Sequence, residues 1–173
     1  AITQLRPYAS KLDEILSNVS ATLEGATDNK YGIAREEIKK ATIVVVTSDR
    51  GLCGGFNSNV IKATIKHVEE NYADLNPKKH IEFICIGKKG NEYFQKNGYR
   101  VNDDFAKLFF DLSFDNVKEA AELAMKTFEA GKTDKVDIIY NEFKNAAIQI
   151  VRTNQFLPIP EIESKEEEVT STI

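Results

Sequence analysis

The sequence has 173 residues, of which 42% are hydrophobic, and a formal net charge of -4. This length suits one domain, which at this size buries about 70% of the surface that its unfolded chain exposes. Basic and acidic residues are interspersed, which argues against a nucleic-acid partner because binding to a phosphate backbone calls for a sustained basic stripe. No apolar run approaches the roughly 20 residues of a membrane-spanning helix, so we expect no direct membrane insertion.

Apolar residues recur at alternating steps of three and four through the first 22 residues, which is typical of a coiled-coil seam. Over so short a segment, an ordinary amphipathic helix packed on a sheet would show the same spacing, so the segment alone leaves both interpretations open. The seam consists of Ile2, Leu5, Ala9, Leu12, Leu16 and Val19.

The next part of the sequence alternates between strand and helix patterns. Residues 41–47 are mostly β-branched and do not alternate between apolar and polar types, which is typical of a strand buried on both faces of a parallel sheet. The other predicted elements are helices over 56–71, 88–96 and 114–128, and strands over 81–86, 99–101, 136–143 and 147–156.

This order of elements predicts an α/β fold. We expect a Rossmann-like three-layer domain with a mostly parallel sheet and an antiparallel edge hairpin, preceded by a short coiled-coil-type helix. The helix is predicted at residues 1–22, a polar linker with glycine at 23–40, and the globular domain at 41–160. Residues 161–173 are rich in glutamate and are predicted to form an acidic connector or tail.

A glycine-rich turn follows the first strand, at the position where ligands bind in doubly wound folds. Its residues fit neither GxGxxG nor GxxxxGK[ST], and no carboxylate ends the second strand to hold a ribose. A tight turn, in which glycines supply positive φ and close packing, is therefore favoured over a phosphate cradle. The turn comprises Ser48, Asp49, Arg50, Gly51, Leu52, Cys53, Gly54, Gly55 and Asn57.

The cysteines and histidines do not form a recognisable catalytic group. A helix N-terminus and nearby Arg50 would favour a thiolate at Cys53, but the sequence places neither His67 nor His80 beside it as a base. Cys85 lies within an apolar strand and is expected in the core. We therefore predict no catalytic, cofactor-binding or metal-binding residues, and no cofactor.

The stretch 44–57 closely resembles the signature strand and turn of the γ subunits of F-type ATP synthases. Three further stretches resemble the same family in the same order. Residues 6–8 are similar to the shaft helix as it reaches the globular domain, and residues 87–90 to the turn after the second strand. Residues 141–145 and 155–160 are similar to the edge hairpin.

This resemblance implies a non-catalytic rotor subunit. In the family, the two terminal helices form a coiled coil inside the α3β3 hexamer, and the globular domain lies below it. Rotation driven by proton flow is then coupled to ATP synthesis in the hexamer. The implied partners are the ε subunit, the c-ring and the α and β subunits. The implied location is the cytoplasmic face of the bacterial inner membrane, as a peripheral part of the F1 sector.

The family pattern extends beyond this sequence at both ends, so we expect this chain to lack most of the coiled-coil shaft. The N-terminal seam would then have no partner helix, and we expect self-association through it. One alternative is a small flavodoxin-like enzyme domain that binds a nucleotide or phosphate through residues 49–57. Another is an adaptor whose edge hairpin pairs with a partner strand. The anion affinity of the turn distinguishes the enzyme from the rotor.

Overall fold

The structure, a computed structural model, describes residues 34–48, 55–106, 114–145, 148–158 and 169–172. The predicted N-terminal helix with its seam lies outside these ranges, as do positions 49–54 of the turn and most of the acidic stretch. Within the described part of the chain, six strands form one mixed sheet, and three helices accompany it.

The sheet contains four parallel strands and two antiparallel ones, in the order β3-β2-β1-β4-β5-β6. Parallel strands β1 to β4 start at one edge of the sheet, which we call the amino edge, and they run towards the opposite, carboxyl edge. The strands are β1 (Ala41–Val46), β2 (Ile81–Ile86), β3 (Arg100–Asn102), β4 (Lys135–Asn145), β5 (Ile148–Leu157) and β6 (Val169–Thr172). The helices are α1 (Phe56–Asn71), α2 (Lys88–Lys96) and α3 (Phe114–Glu129).

Strand β1 has a hydrophobic core on each of its faces, because all six of its residues are buried. Ile43 and Val45 belong to the core that includes residues of α1 and α2, whereas Val44 and Val46 belong to the core that includes residues of α3. The helices therefore cover both faces of the sheet. This arrangement confirms the prediction of a three-layer α/β domain from an apolar run without alternation.

The helices pack through residues spaced four apart, as expected of one face of an α-helix. In α1 the buried residues are Phe56, Val60, Thr64 and Val68. In α3, Ala120, Ala124 and Phe128 repeat the same spacing. In the described ranges, no helix has both the length and the apolar composition needed to cross a bilayer.

The antiparallel strands lie at one side of the sheet, as predicted, and the structure adds two details. Strand β4 also pairs in parallel with β1, so the hairpin β4–β5 continues the parallel sheet instead of standing apart from it. Strand β6 lies within the stretch that we predicted to be a connector or tail, and it pairs with Ile148 to Val151 of β5. Its Val-Thr-Ser-Thr sequence is rich in β-branched residues, which suits an edge strand.

The carboxyl ends of β1 and β2 approach each other so closely that one position between them accepts only glycine. Gly87 follows β2 with a φ of 95°, and a Cβ built on it would lie 1.9 Å from the carbonyl oxygen of Thr47. Nearby, the amide of Gly90 donates a 2.7 Å hydrogen bond to the Thr47 hydroxyl, and the amide of Lys89 donates one of 3.1 Å to the carbonyl of Ser48. The first turn of α2 is therefore fastened to the end of β1.

We predict that Gly87→Ala lowers the free energy of unfolding by about 3 kcal/mol or more, because it adds a main-chain clash to an unfavourable φ. Gly131→Ala is the matched control. Gly131 has a φ of 74°, but an added Cβ would meet no atom within 4 Å. The control should cost only about 1–2 kcal/mol, the cost of the left-handed conformation. Urea denaturation of both variants tests this, and equal losses would contradict the close approach at Gly87.

Candidate functional site

The signature turn is closed by two hydrogen bonds between its first and last residues. The amide of Ser48, just after β1, donates to the Asn57 Oδ1 at 2.8 Å. In return, Asn57 Nδ2 donates to the Ser48 hydroxyl oxygen, also at 2.8 Å. Ser48 is 1% exposed. Because Asn57 is the second residue of α1, this pair of bonds fixes the start of the helix against the end of the strand.

Of the turn residues identified from the sequence, the structure describes Ser48, Gly55 and Asn57, and it brings Ser48 and Asn57 together. Gly55 is the N-cap of α1 with a φ of -80°, so positive φ is not the reason for glycine at this position. A Cβ on Gly55 would lie 2.9 Å from the end of the Asn59 side chain, which is a contact a flexible side chain can relieve. The remaining turn residues lie outside the described ranges.

The crevice between β1 and β4 is where a doubly wound fold would hold a nucleotide, because the strand order reverses there. In this chain a hydrogen bond connects the start of α1 to β4 near that point, because Asn141 of β4 donates to the Phe56 carbonyl at 3.3 Å. Asn141 is 1% exposed. Phe56 is the first residue of α1 and is fully buried, yet it belongs to the core on the α3 face of the sheet. The start of α1 is therefore fixed to β4 as well as to β1.

A buried polar cluster lies between the end of α1 and β4. Asp137 is 1% exposed, and its Oδ2 accepts hydrogen bonds from His67 Nε2 at 2.8 Å and from the Tyr72 hydroxyl. Asn71 Nδ2 donates to His67 Nδ1 at 3.0 Å, so Nε2 is the ring nitrogen that carries the hydrogen facing Asp137. Lys135 Nζ lies 3.9 Å from Asp137 Oδ1. Asp137 thus accepts two hydrogen bonds and has an ammonium group nearby, and these contacts offset the cost of burying a carboxylate.

Burial raises the pKa of Tyr72 far above its usual value, and the neighbouring charge of Asp137 and the hydrogen bond to it act in the same direction. Burial also raises the pKa of Cys85 to about 12. Cys85 is a free, buried thiol with its thiolate form disfavoured, which confirms its predicted place in the core. Neither group has the properties of an activated nucleophile.

Sequence reasoning missed the cluster around Asp137. The signal was available, because an aspartate within the apolar strand sequence Lys-Val-Asp-Ile-Ile is costly to bury unless a partner satisfies it. The sequence did not indicate which helix would supply the partners. In the described ranges, no group of histidine, cysteine, aspartate and glutamate side chains has a metal-binding arrangement.

We predict that Asn57→Leu destabilises the domain by about 1–3 kcal/mol, because it removes both bonding partners that Asn57 offers to buried Ser48. Asn57→Asp is the matched control. It keeps an acceptor for the Ser48 amide and adds a negative charge at a helix N-terminus, so it should cost much less. Chemical denaturation measures both. An Asn57→Asp variant as unstable as Asn57→Leu would contradict this role.

A second prediction concerns alkaline pH. Tyr72 has a raised pKa in the folded state, so it contributes stability that is fully present below about pH 10, where an unfolded tyrosine titrates, and that is lost as pH rises further. The free energy of unfolding should fall by about 1.4 kcal/mol per pH unit for this one group. In Tyr72→Phe the decline above pH 10 should be shallower, although stability at neutral pH is lower. If the free energy of unfolding falls equally steeply with pH in both proteins, Tyr72 is not the group whose pKa is raised by folding.

The whole sequence, residues 1–173, matches the family described as ATP synthase. Among curated proteins, the "ATP synthase gamma chain" of Cytophaga hutchinsonii is 51% identical over 90% of this chain and 52% of its own length. That of Flavobacterium psychrophilum is 48% identical over 95% of this chain and 55% of its own length. This chain spans about half the length of these curated relatives.

A solved structure of the central stalk and c-ring of the Tetrahymena thermophila mitochondrial ATP synthase is also similar. It has a TM-score of 0.49 and 21% sequence identity, and the match covers 91% of this chain and 72% of that chain. The match over the whole sequence and the identities of about half to the curated γ chains establish the family. This chain belongs to the ATP synthase family.

Proposed function

We propose that this chain acts as the globular base of the ATP synthase rotor, a non-catalytic part of the central stalk. In this role it couples proton-driven rotation to ATP synthesis in the α3β3 hexamer. The observation that carries the proposal is the identity of 51% and 48% to curated ATP synthase γ chains over nearly the whole of this sequence.

The geometry of the carboxyl edge supports a mechanical role. Ser48 and Asn57 tie α1 to β1, and Asn141 ties the same helix to β4 through the Phe56 carbonyl. Thr47 accepts a hydrogen bond from the first turn of α2. The place that would bind a ligand in an enzyme of this topology is thus used to connect neighbouring elements. A domain that transmits torque needs such connections, because a deformable domain would absorb the rotation.

The implied partners and location belong to the same proposal. We infer contacts with the ε subunit, the c-ring and the α and β subunits, at the cytoplasmic face of a bacterial inner membrane. The curated relatives come from bacteria, among them Cytophaga hutchinsonii and Chlorobaculum parvum, which supports the bacterial setting. Self-association through the N-terminal seam remains a prediction, since that segment lies outside the described residues.

We do not propose the flavodoxin-like alternative, because the whole sequence matches the ATP synthase family and the similar curated proteins are named ATP synthase gamma chains.

The proposal is tested by purifying the affinity-tagged protein from detergent-solubilised membranes of its own host. We expect the α, β, ε and c subunits of the ATP synthase to copurify in constant ratio. The purified chain alone should show no heat of binding in calorimetric titrations with ATP or NAD. Recovery of the chain without any of these subunits would contradict the rotor function. Nucleotide binding by the isolated chain would favour the enzyme alternative.

A further inference from the structure

The amino edge of the sheet carries a row of basic residues. Each of the four parallel strands has at least one cation at or just before its first residue, although the chain as a whole has a net charge of -4. The row follows the strand order: Arg100 at β3, Lys78 and Lys79 before β2, Lys39 and Lys40 before β1, and Lys132 before β4. We call these six residues the basic row.

Register places the basic row along one line. Ala41 is aligned with Ile81 of β2 and with Lys135 of β4, so the residues that precede these strands lie side by side. Neighbouring strands lie about 4.8 Å apart, which makes the row about 14 Å wide from β3 to β4. All six residues are exposed. The basic row therefore follows the amino edge across the four parallel strands.

Two residues of the basic row have partners within the described part of the domain, because Lys78 Nζ lies 5.6 Å from the centre of the Tyr99 ring and Arg100 donates a 3.0 Å hydrogen bond to the Lys79 carbonyl. The remaining four, Lys39, Lys40, Lys79 and Lys132, offer their ammonium groups to a partner. Asp134 lies at the same edge, but its carboxylate accepts from the main-chain amides of Lys39 and Lys40 and approaches Arg35, leaving the lysine side chains unengaged. No lysine of the row forms an ion pair with a described residue. Some of this charge offsets the C-terminal dipoles of the helices that end at this edge, but Lys39 and Lys40 belong to no helix.

We propose that the basic row is a docking surface for an acidic protein surface, presented by a neighbouring subunit of the complex to which the chain belongs. The inference rests on the proposed function. The chemistry is the pairing of exposed ammonium and guanidinium groups with carboxylates, which steers association and makes it dependent on salt.

A protein surface fits this edge better than a lipid headgroup surface does. Three exposed carboxylates, Glu36, Glu37 and Asp74, belong to the same segments that lead into β1 and β2 and carry four of the cations. A uniformly anionic membrane would repel them, whereas a protein can place its own charges opposite each sign. The basic row also has a fixed geometry set by the strands, which suits discrete pairs.

The test compares two double variants with equal changes in net charge. The edge variant is Lys40→Glu with Lys79→Glu, and the control is Lys62→Glu with Lys88→Glu, two exposed residues elsewhere on α1 and α2. Each protein is tagged, expressed in its own host and purified at low salt, and the other ATP synthase subunits are quantified per tagged chain. We expect about a tenfold lower recovery for the edge variant and less than a twofold change for the control.

The milder Lys40→Gln with Lys79→Gln should lose recovery by about threefold, and thermal melting checks that all variants are folded. At high salt, recovery of the unmodified protein should approach that of the edge variant. If all proteins recover the other subunits equally at low salt, the docking surface is contradicted, whereas the proposed function is not. If the unmodified protein recovers no subunits, the proposed function fails and the docking surface with it. If the edge variant loses binding to phosphatidylglycerol vesicles while its recovery of subunits is unchanged, the basic row binds lipid and the proposal is wrong.

Discussion

The structure depends on how the carboxyl end of β1 is held. This strand is buried on both faces, and its continuation, Thr47 and Ser48, is bonded from two directions. The first turn of α2 reaches it through the Gly90 amide, and α1 reaches it through Asn57. A side chain at Gly87 would break the first approach. Because β1 pairs with β2 on one side and β4 on the other, fixing its end sets the position of the layers around it.

The carboxyl edge also connects elements on opposite sides of the sheet. Phe56 starts α1, yet its side chain belongs to the core on the α3 side, and Asn141 of β4 donates a hydrogen bond to its carbonyl. Helix and strand are thereby connected at the position where doubly wound folds commonly bind ligands. Such connections suit the rotor function that we propose, because torque has to pass through the domain without local deformation.

Much of the fold could be predicted from the sequence, because the relevant signals are local. Three patterns each predict the structure of their own segment. They are the β-branched run of β1, the apolar residues four positions apart in α1 and the glycine after β2. The missing parts depend on contacts distant in sequence. The partners of Asp137 come from a helix some 70 positions away, and β6 is recognisable as a strand only once β5 offers it an edge. The basic row likewise appears only when strand order and register bring four separate segments together.

The most direct test of a rotor is to watch it turn. Lys62, an exposed residue of α1, can be replaced by cysteine to attach a bead to the assembled ATP synthase, in a variant whose Cys53 is replaced by serine, while buried Cys85 stays unreactive. With the hexamer fixed to a surface and ATP supplied, the account predicts unidirectional rotation of the bead that stops when ATP is removed. A bead that stays still, in complexes that hydrolyse ATP at the normal rate, would contradict the claim that this domain belongs to the rotor.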